Sequence, residues 1–276
     1  MRRRERDAIE LKTVAEFGLM RSAGLVVAEA LAAMRAAVAP GVSTLDLDAI
    51  ARDVLREAGA ESSFLGYHGY PAVICASVND RIVHGIPSES DVLREGDLIS
   101  IDFGAIIEGW HGDSAITVPV GSVSPAAAAL SATCEASLWD GLAVVRAGGR
   151  LSDISHAVET SVRAAGDYGI VTGYGGHGIG SAMHMDPHVL NHGRPGRGPR
   201  LTPGMALAIE PMITLGSPDT RELDDGWTVV TTDGMLAAHW EHSVAILSDG
   251  PWVLTAEDGG RAELASRGVQ LSTVSA

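Results

Sequence analysis

Cysteine is scarce in this sequence: Cys75 and Cys134 are the only two among 276 residues. Two thiols cannot supply a disulfide framework or a cysteine-rich zinc site, and so few of them are typical of a protein from a reducing compartment. Any metal ion that the chain binds is therefore expected to use oxygen and imidazole ligands.

Basic residues are also in short supply. The chain has 20 Lys and Arg against 35 Asp and Glu, a formal net charge of −15. This excess disfavours general attraction to phosphate backbones, because like charges repel. We therefore predict no DNA partner, and small or cationic ligands are favoured.

Long uninterrupted apolar runs are absent from the sequence. The longest apolar stretch, residues 24–38, is broken by Glu29 and Arg35, and the basic start Arg2-Arg3-Arg4 is followed by acidic residues. These patterns argue against a membrane span, a signal peptide and a transit peptide. With 46% hydrophobic and 20% charged residues, the composition is that of a globular protein, which we expect to be cytoplasmic and without a membrane partner.

The pattern of apolar residues predicts helices, then strands, then helices, then strands, which favours an α+β fold with possible internal duplication. Helices are expected at about 9–34, 43–55, 125–145 and 151–165, with Ser43 as one N-cap and Ser152 or Asp153 as another. Gly24 interrupts the apolar face of the first helix and predicts close packing there. We divide the chain into a flexible segment 1–8, one domain 9–256 and a C-terminal tail 257–276.

Two predicted strands, at 98–104 and 110–118, each carry an aspartate among apolar residues. If they form a hairpin that turns between Ile107 and Glu108, Asp102 faces Asp113 on the same side of the sheet. A divalent cation between them would offset their repulsion, because carboxylates in apolar surroundings must otherwise be protonated or paired. The alternative is that one of the two stabilises a turn or faces solvent.

Three further segments add metal-ligand types. His177 lies in a glycine-rich loop, Glu210 ends an apolar run, and Glu241 lies in a largely apolar segment. Each of them could instead be a satisfied core polar group or a strand-end residue. Together with the two aspartates they form four carboxylates and one imidazole, a set that suits a pair of divalent ions such as Mn, Fe, Co or Zn.

A second hairpin, turning at Asp233-Gly234, is predicted to bring Trp227 opposite Trp240.

Several short motifs follow one another along the chain, and their combination resembles type I methionine aminopeptidase. The motifs are Val78-Asn79-Asp80, His84-Gly85-Ile86-Pro87, the Asp102 and Asp113 hairpin, the glycine loop around His177, His184, Glu210-Pro211 and Glu241-His242. The resemblance runs from about residue 9 to residue 254. It implies the pita-bread fold, in which an antiparallel sheet is covered by helices and the two halves are related by a pseudo-twofold axis.

The resemblance also implies roles for individual residues. Five side chains are expected to bind two divalent ions of unresolved identity, namely Asp102, Asp113, His177, Glu210 and Glu241, with Asp113 and Glu241 bridging. A hydroxide held between the ions then attacks the first peptide bond, and Glu210 transfers the proton to the leaving amine. His84 and His184 are expected to hydrogen-bond the substrate amide and the developing oxyanion.

A methionine pocket is implied by the same resemblance. It maps onto five apolar or soft side chains, Tyr67, Tyr70, Cys75, Met183 and Trp227, which suit a thioether. Five residues depart from the bacterial pattern, namely Phe64, Val83, Met183 and the pair Met185-Asp186. These departures leave the pocket shape open but not the reaction.

The predicted function is removal of the initiator methionine from nascent chains and peptides when the second residue is small. One alternative is a proline-directed aminopeptidase or dipeptidase of the same fold, and another is a non-catalytic binding protein on this scaffold. The family resemblance implies a monomer. Arg2-Arg3-Arg4 and Arg194, Arg197 and Arg200 predict a transient ribosome contact, for which solvated surface arginines are the alternative.

Overall fold

A computed structural model describes residues 9–275, so the predicted flexible segment 1–8 lies outside the described residues. The helices are α1 (Val14–Ala37), α2 (Thr44–Ala58), α3 (Pro125–Ala143), α4 (Leu151–Ala165) and α5 (Arg261–Ser266). The strands are β1 (Glu61–Ser62), β2 (Ile74–Val78), β3 (Arg81–Val83), β4 (Leu98–Ile107), β5 (Trp110–Pro119), β6 (Gly169–Ile170), β7 (Gly176–Gly178), β8 (Met185–Val189), β9 (Ala206–Ile209), β10 (Met212–Thr214), β11 (Thr220–Glu222), β12 (Val229–Thr231), β13 (Ala237–His239), β14 (Glu241–Ile246) and β15 (Pro251–Val253). Helix α5 lies in the segment 257–276, and its Leu264 is fully buried in the main core.

Two helix caps were predicted, and one of them is confirmed; the first helix begins at Val14 rather than at about residue 9, with Thr13 as its N-cap. Ser43 caps α2 as predicted, since its hydroxyl accepts a hydrogen bond from the amide of Asp46. The predicted cap of α4 is wrong: the N-cap is Arg150, whose backbone N–H donates to Asp153 at 2.8 Å. Ser152 and Asp153 are instead in the first turn, where the Asp153 carboxylate satisfies an otherwise unpaired donor.

The central feature is a nine-stranded antiparallel sheet. Its main path runs β1-β4-β5-β14-β9-β7-β8, with β2 paired to β4 and β15 paired to β14. Helices α1 and α2 precede the β4–β5 part of this sheet, and α3 and α4 precede the β9–β14 part. The predicted repeated order of helices and strands is therefore confirmed.

Alternation along β4 separates the core from the opposite face of the sheet. Ile99, Ile101 and Phe103 are fully buried in one cluster with Val27 and Met34 of α1. Successive side chains of a strand point to opposite faces, so the even-numbered residues of β4 face away from α1. This alternation directs Asp102 to the opposite face.

The β4–β5 hairpin has a register different from the predicted one. Its turn residues are Glu108 and Gly109, both with positive φ, and Ile107 pairs with Trp110. Asp113 consequently pairs with Gly104, and Asp102 pairs with Ala115. The predicted direct pairing of the two aspartates is wrong by two residues. An even shift preserves the face, so they remain diagonal neighbours on the same side of the sheet.

The second predicted hairpin does not form. Strand β12 pairs with β11 and β3, whereas β13 pairs with β10 in a different sheet. Trp227 and Trp240 therefore do not face each other. Trp240 lies between β13 and β14, and its indole Nε1 donates to Ser131 on α3 at 3.1 Å. Because successive side chains of an extended chain point to opposite sides, it faces away from Glu241.

Helix α1 is long and apolar enough to cross a membrane by length and composition, and 44% of its most apolar window is buried inside the structure. The core helix of a globular protein passes the same test. Gly24 is the point of closest packing on this helix. A Cβ atom there would lie 2.2 Å from the carbonyl oxygen of Leu254, so the predicted packing role of Gly24 is confirmed.

Replacement of Gly24 by Ala is expected to destabilise the protein by about 1–3 kcal/mol, because the added methyl group meets backbone that cannot easily move. Gly18→Ala on the same helix is the matched control, since a Cβ there meets nothing within 4 Å. It should stabilise the protein by up to about 1 kcal/mol through helix propensity. Urea unfolding measures both, and equal changes at the two positions would contradict this account of the packing.

Candidate active site

Five neighbouring strands carry the predicted metal ligands to one face of the large sheet. Asp102 is on β4, Asp113 on β5 and Glu241 at the start of β14, while Glu210 directly follows β9 and His177 is on β7. These strands are consecutive in the sheet order, which brings together residues up to 139 positions apart in the sequence. The structure therefore places all five predicted ligands at one site.

Two parallel rows of residues make up this face. In the first row, Ala115 pairs with both Asp102 and Glu241. In the second row, Ser243 and Ala208 lie between Asp113 and His177. Ala208 pairs with Ser243 on one side and with His177 on the other. The Ser243 hydroxyl donates a hydrogen bond to the backbone carbonyl of Asp113. Small side chains between the acids and the imidazole leave room for a group to bind among them.

The carboxylates of the site repel one another in a buried environment. Burial, together with the charges of Asp113 and Glu210, raises the pKa of Asp102 well above its usual range. Burial and the charge of Glu210 raise the pKa of Asp113 to about 8, and the pKa of Glu241 is likewise raised by burial and by Asp113. These acids can all be ionised at neutral pH only if positive charge is supplied.

Glu210 differs from the other acids because it lies between two imidazoles. Its Oε1 is 3.6 Å from Nε2 of His177, and its Oε2 is 3.5 Å from Nε2 of His239. Burial opposes ionisation, but these two histidines together with His184 outweigh it and lower the pKa of Glu210. The Glu210 side chain is therefore the carboxylate of the cluster that is most easily ionised.

Unpaired buried atoms test whether a metal fits here. Four of them belong to the cluster: Oδ1 of Asp102, Oδ1 of Asp113, Oε1 of Glu241 and Nε2 of His239 have no hydrogen-bond partner. Buried polar atoms are almost always satisfied. Oxygen and imidazole donors left free in one buried cluster fit divalent cations of the Mn, Fe, Co and Zn type.

His239 is a member of this cluster that the sequence analysis did not identify. Its side chain is 1% exposed, and with Glu210 and Glu241 it forms a group whose ligand atoms lie within 4.8 Å of one another. The available signal was its position two residues before Glu241, on the same side of the chain.

His84 and His184 both lie at the cavity that adjoins the cluster. His184 is in ring contact with His177 at a centroid distance of 4.3 Å, and its Nδ1 is 2.8 Å from the Tyr67 hydroxyl. Burial and the neighbouring His177 lower the pKa of His184 to about 4, and burial lowers that of His84. Both rings are thus neutral at pH 7 and can each donate one hydrogen bond.

The cavity itself has a volume of about 420 Å³, and the carboxylate cluster is part of its lining. All twelve side chains predicted for the site line it, including the five of the predicted methionine pocket, Tyr67, Tyr70, Cys75, Met183 and Trp227. Phe64 and Val83, noted only as departures from the family pattern, also line it. Phe64 packs against Tyr70 edge to face, with ring centroids 6.5 Å apart.

The antiparallel sheet is curved and covered by helices, and a buried cluster of carboxylates and imidazoles lies on its open face. This combination defines the scaffold of a metal-dependent enzyme. The model of metallopeptidase family M24 matches residues 18–248. The chain therefore belongs to metallopeptidase family M24.

Curated relatives and solved structures agree with this assignment. The chain is 58% identical over 259 residues to methionine aminopeptidase 1 of Mycobacterium tuberculosis, covering 92% of this chain and 97% of the relative. It is 48% identical to methionine aminopeptidase 1 of Bacillus subtilis, covering 88% and 98%. The crystal structure of methionine aminopeptidase from Thermotoga maritima superposes with a TM-score of 0.89 at 37% identity, covering 91% and 100%.

The fold extends to more distant structures. Prolidase from Pyrococcus furiosus superposes with a TM-score of 0.71 at 20% identity, covering 91% of this chain and 66% of that one. At this identity the likeness shows the fold alone. The predicted α+β pita-bread fold is confirmed.

The stability of the metal-free protein is expected to fall as pH rises. The pKa of Asp113 is higher in the folded state than in the unfolded state, so this carboxyl keeps its proton in the folded protein up to about pH 8, and raising the pH through that value favours unfolding. Thermal unfolding of chelator-treated protein at pH 7.5 and pH 8.5 measures the effect, because the buried histidines of lowered pKa oppose it only below about pH 7. Saturating Mn²⁺ should abolish it, whereas a metal-free protein that is more stable at pH 8.5 would contradict the predicted repulsion.

Proposed function

We propose that this protein is a metal-dependent aminopeptidase that removes an N-terminal methionine when the second residue is small. The observation that carries the proposal is a single cavity of about 420 Å³ that is lined both by the buried ligand cluster and by a group of apolar side chains. A side chain held in that cavity places the adjacent peptide bond beside the cluster. The names of the relatives at 58% and 48% identity support the same activity.

We assign metal binding to Asp102, Asp113, His177, Glu210 and Glu241, which would hold two divalent ions. When bound, such ions lower the pKa of water and polarise a carbonyl group. The identity of the ions is left open among Co, Mn, Fe and Zn, because geometry and availability decide it more than ligand type.

Three side chains act on the substrate in this proposal. The lowered pKa of Glu210 keeps its carboxylate ready to accept a proton from the attacking water and pass it to the leaving amine. His84 and His184, both neutral, orient the substrate amide and stabilise the oxyanion. The Tyr67 hydroxyl, 2.8 Å from Nδ1 of His184, holds that ring in place.

Selectivity for methionine is attributed to the apolar end of the cavity. Tyr70, Cys75 and Met183 are buried there, and Trp227 meets Tyr70 edge to face at a centroid distance of 5.0 Å. Burial raises the pKa of the Cys75 thiol, so it remains neutral beside an apolar side chain. Soft and aromatic groups of this kind make favourable contacts with a thioether.

The natural substrate in this proposal is the N-terminal methionine of nascent polypeptides, cleaved in the cytoplasm by a monomer. Arg194, Arg197 and Arg200 are exposed on the loop that precedes β9. Arg146 is also exposed. It lies close to this loop, because Arg200 donates a hydrogen bond to the carbonyl of Gly148 at 2.8 Å. In a chain of net charge −15, this local excess of arginine is suited to transient contact with ribosomal RNA.

Activity is tested with two peptides, Met-Ala-Ser and Xaa-Pro-Yaa, on protein reconstituted with Mn²⁺ or Co²⁺. Only the methionine peptide should be cleaved, and Asp113→Ala should lower kcat/KM at least about a hundredfold because it removes a ligand of the cluster. Cleavage of the proline peptide alone would establish the proline-directed alternative. Absence of bound metal together with unchanged cleavage by Asp113→Ala would contradict the metal mechanism.

Ribosome contact is tested by co-sedimentation at low and physiological salt. Replacing Arg2, Arg3, Arg4, Arg194, Arg197 and Arg200 with Gln should reduce binding and its salt dependence, because each arginine lost removes a phosphate contact. Replacement of Arg94, Arg221 and Arg261, which are exposed elsewhere, is the control. Binding that is unaffected by the six substitutions would end the proposal.

A further inference from the structure

His239 ends β13 with its side chain directed into the ligand cluster. The imidazole is 1% exposed, and its Nε2 is buried without a hydrogen-bond partner. The backbone of His239 is fixed by β5, because its N–H donates to the Thr117 hydroxyl at 2.9 Å and its carbonyl accepts from the same hydroxyl at 2.7 Å. The ring is therefore held at the cluster by a rigid part of the sheet.

The distances from His239 to its neighbours exceed those of hydrogen bonds, and the one to Glu210 matches the spacing of two ligands on one ion. Its Nε2 is 3.5 Å from Oε2 of Glu210 and 3.9 Å from Oε2 of Glu241, beyond the ~2.7–3.2 Å of an N–H···O hydrogen bond. Two donors that each lie about 2.0–2.2 Å from one ion are separated by roughly 3–3.6 Å. His177, an assigned ligand, shows the same spacing, 3.6 Å from Glu210 and 4.0 Å from Asp113.

Two overlapping groups of potential ligands lie within the cluster and share one residue, and Asp102 belongs to neither of them. Asp113, His177 and Glu241 form the first group, and Glu210, His239 and Glu241 form the second. Within each group the ligand atoms lie within 4.8 Å of one another. Each group thus contains one imidazole, and Glu241 belongs to both groups, as a bridging carboxylate would.

We propose that Nε2 of His239 is a sixth protein ligand of the metal centre, bound to the ion that Glu210 and Glu241 hold. The proposal rests on the proposed function, since it adds a residue to the same centre. Its consequence is a centre with two imidazoles in place of one. Imidazole favours borderline ions such as Co²⁺ and Zn²⁺ over Mn²⁺, so His239 shifts the metal preference in their favour.

The test compares the wild-type protein with His239→Gln, using His156→Gln as the control because His156 is an exposed histidine on α4. Titration calorimetry of metal-free protein measures the affinity for Co²⁺ and for Mn²⁺. Proton NMR of the Co²⁺-loaded protein counts the strongly shifted, exchangeable imidazole N–H signals, one for each ligated histidine.

We expect two such signals in the wild type and in His156→Gln, and one in His239→Gln. The Kd for Co²⁺ should rise at least about tenfold in His239→Gln, with a smaller change for Mn²⁺. A single signal in the wild type would overturn the proposal, and it would do so even if the variant failed to fold. Equal losses of Co²⁺ and Mn²⁺ affinity would also count against it.

The outcome for His239 is separable from that for the proposed function. If the wild-type protein shows two imidazole signals but does not cleave Met-Ala-Ser, His239 is a ligand and the proposed aminopeptidase activity is wrong. If it cleaves that peptide but shows one signal, the activity is supported and the proposal for His239 is wrong.

Discussion

Mutual repulsion among buried carboxylates is the constraint on which the rest of this structure depends. Asp102, Asp113 and Glu241 occupy one face of one sheet, and burial together with their neighbours raises the pKa of each. Without a counter-charge they must hold protons or destabilise the fold. A folded protein keeps such an arrangement when the group that neutralises it is also the group that provides its chemistry.

This arrangement depends on the order of the strands in the sheet rather than on the local sequence around each ligand. Small side chains at Ala115, Ser243 and Ala208 lie among the ligands, and fully buried apolar residues of β4 pack on the opposite face. The same face continues into the apolar cavity, so metal binding and side-chain recognition share one rigid support. His84, His184 and Tyr67 come from the connections between strands, where loops can adapt to a substrate.

Residue types and local patterns predicted much of the fold and of the candidate site. Ser43 and Gly24 could be interpreted from the sequence because a helix cap and a close contact each depend on a single side chain. Pairing between strands depends on turn geometry and on distant partners. For this reason the β4–β5 register was wrong by two residues and the Trp227–Trp240 hairpin was wrong altogether. The aspartates still share a face because an even shift does not change it.

His239 was missed for a related reason. Its proximity to Glu210 arises from pairing between β13 and β10, two short strands outside the large sheet, and no local pattern reports that pairing. The resemblance to the family implied only the ligands that the family is known for. His239 is outside that set, and its position at the cluster follows only from the three-dimensional arrangement of the strands.

The four acidic ligands account for a small part of the net charge of −15, since the chain has 35 acidic residues. These carboxylates must lose protons when metal ions bind, so proton release on metal binding is the most direct test of the proposed metal centre. Calorimetric titration of metal-free protein with Mn²⁺ at pH 7, repeated in buffers of different ionisation enthalpy, measures both the number of ions bound and the protons released. We expect saturation at two ions with net release of about one proton or more, because carboxylates of raised pKa must ionise when the ions bind. Absence of binding, or binding with no proton release, would contradict it.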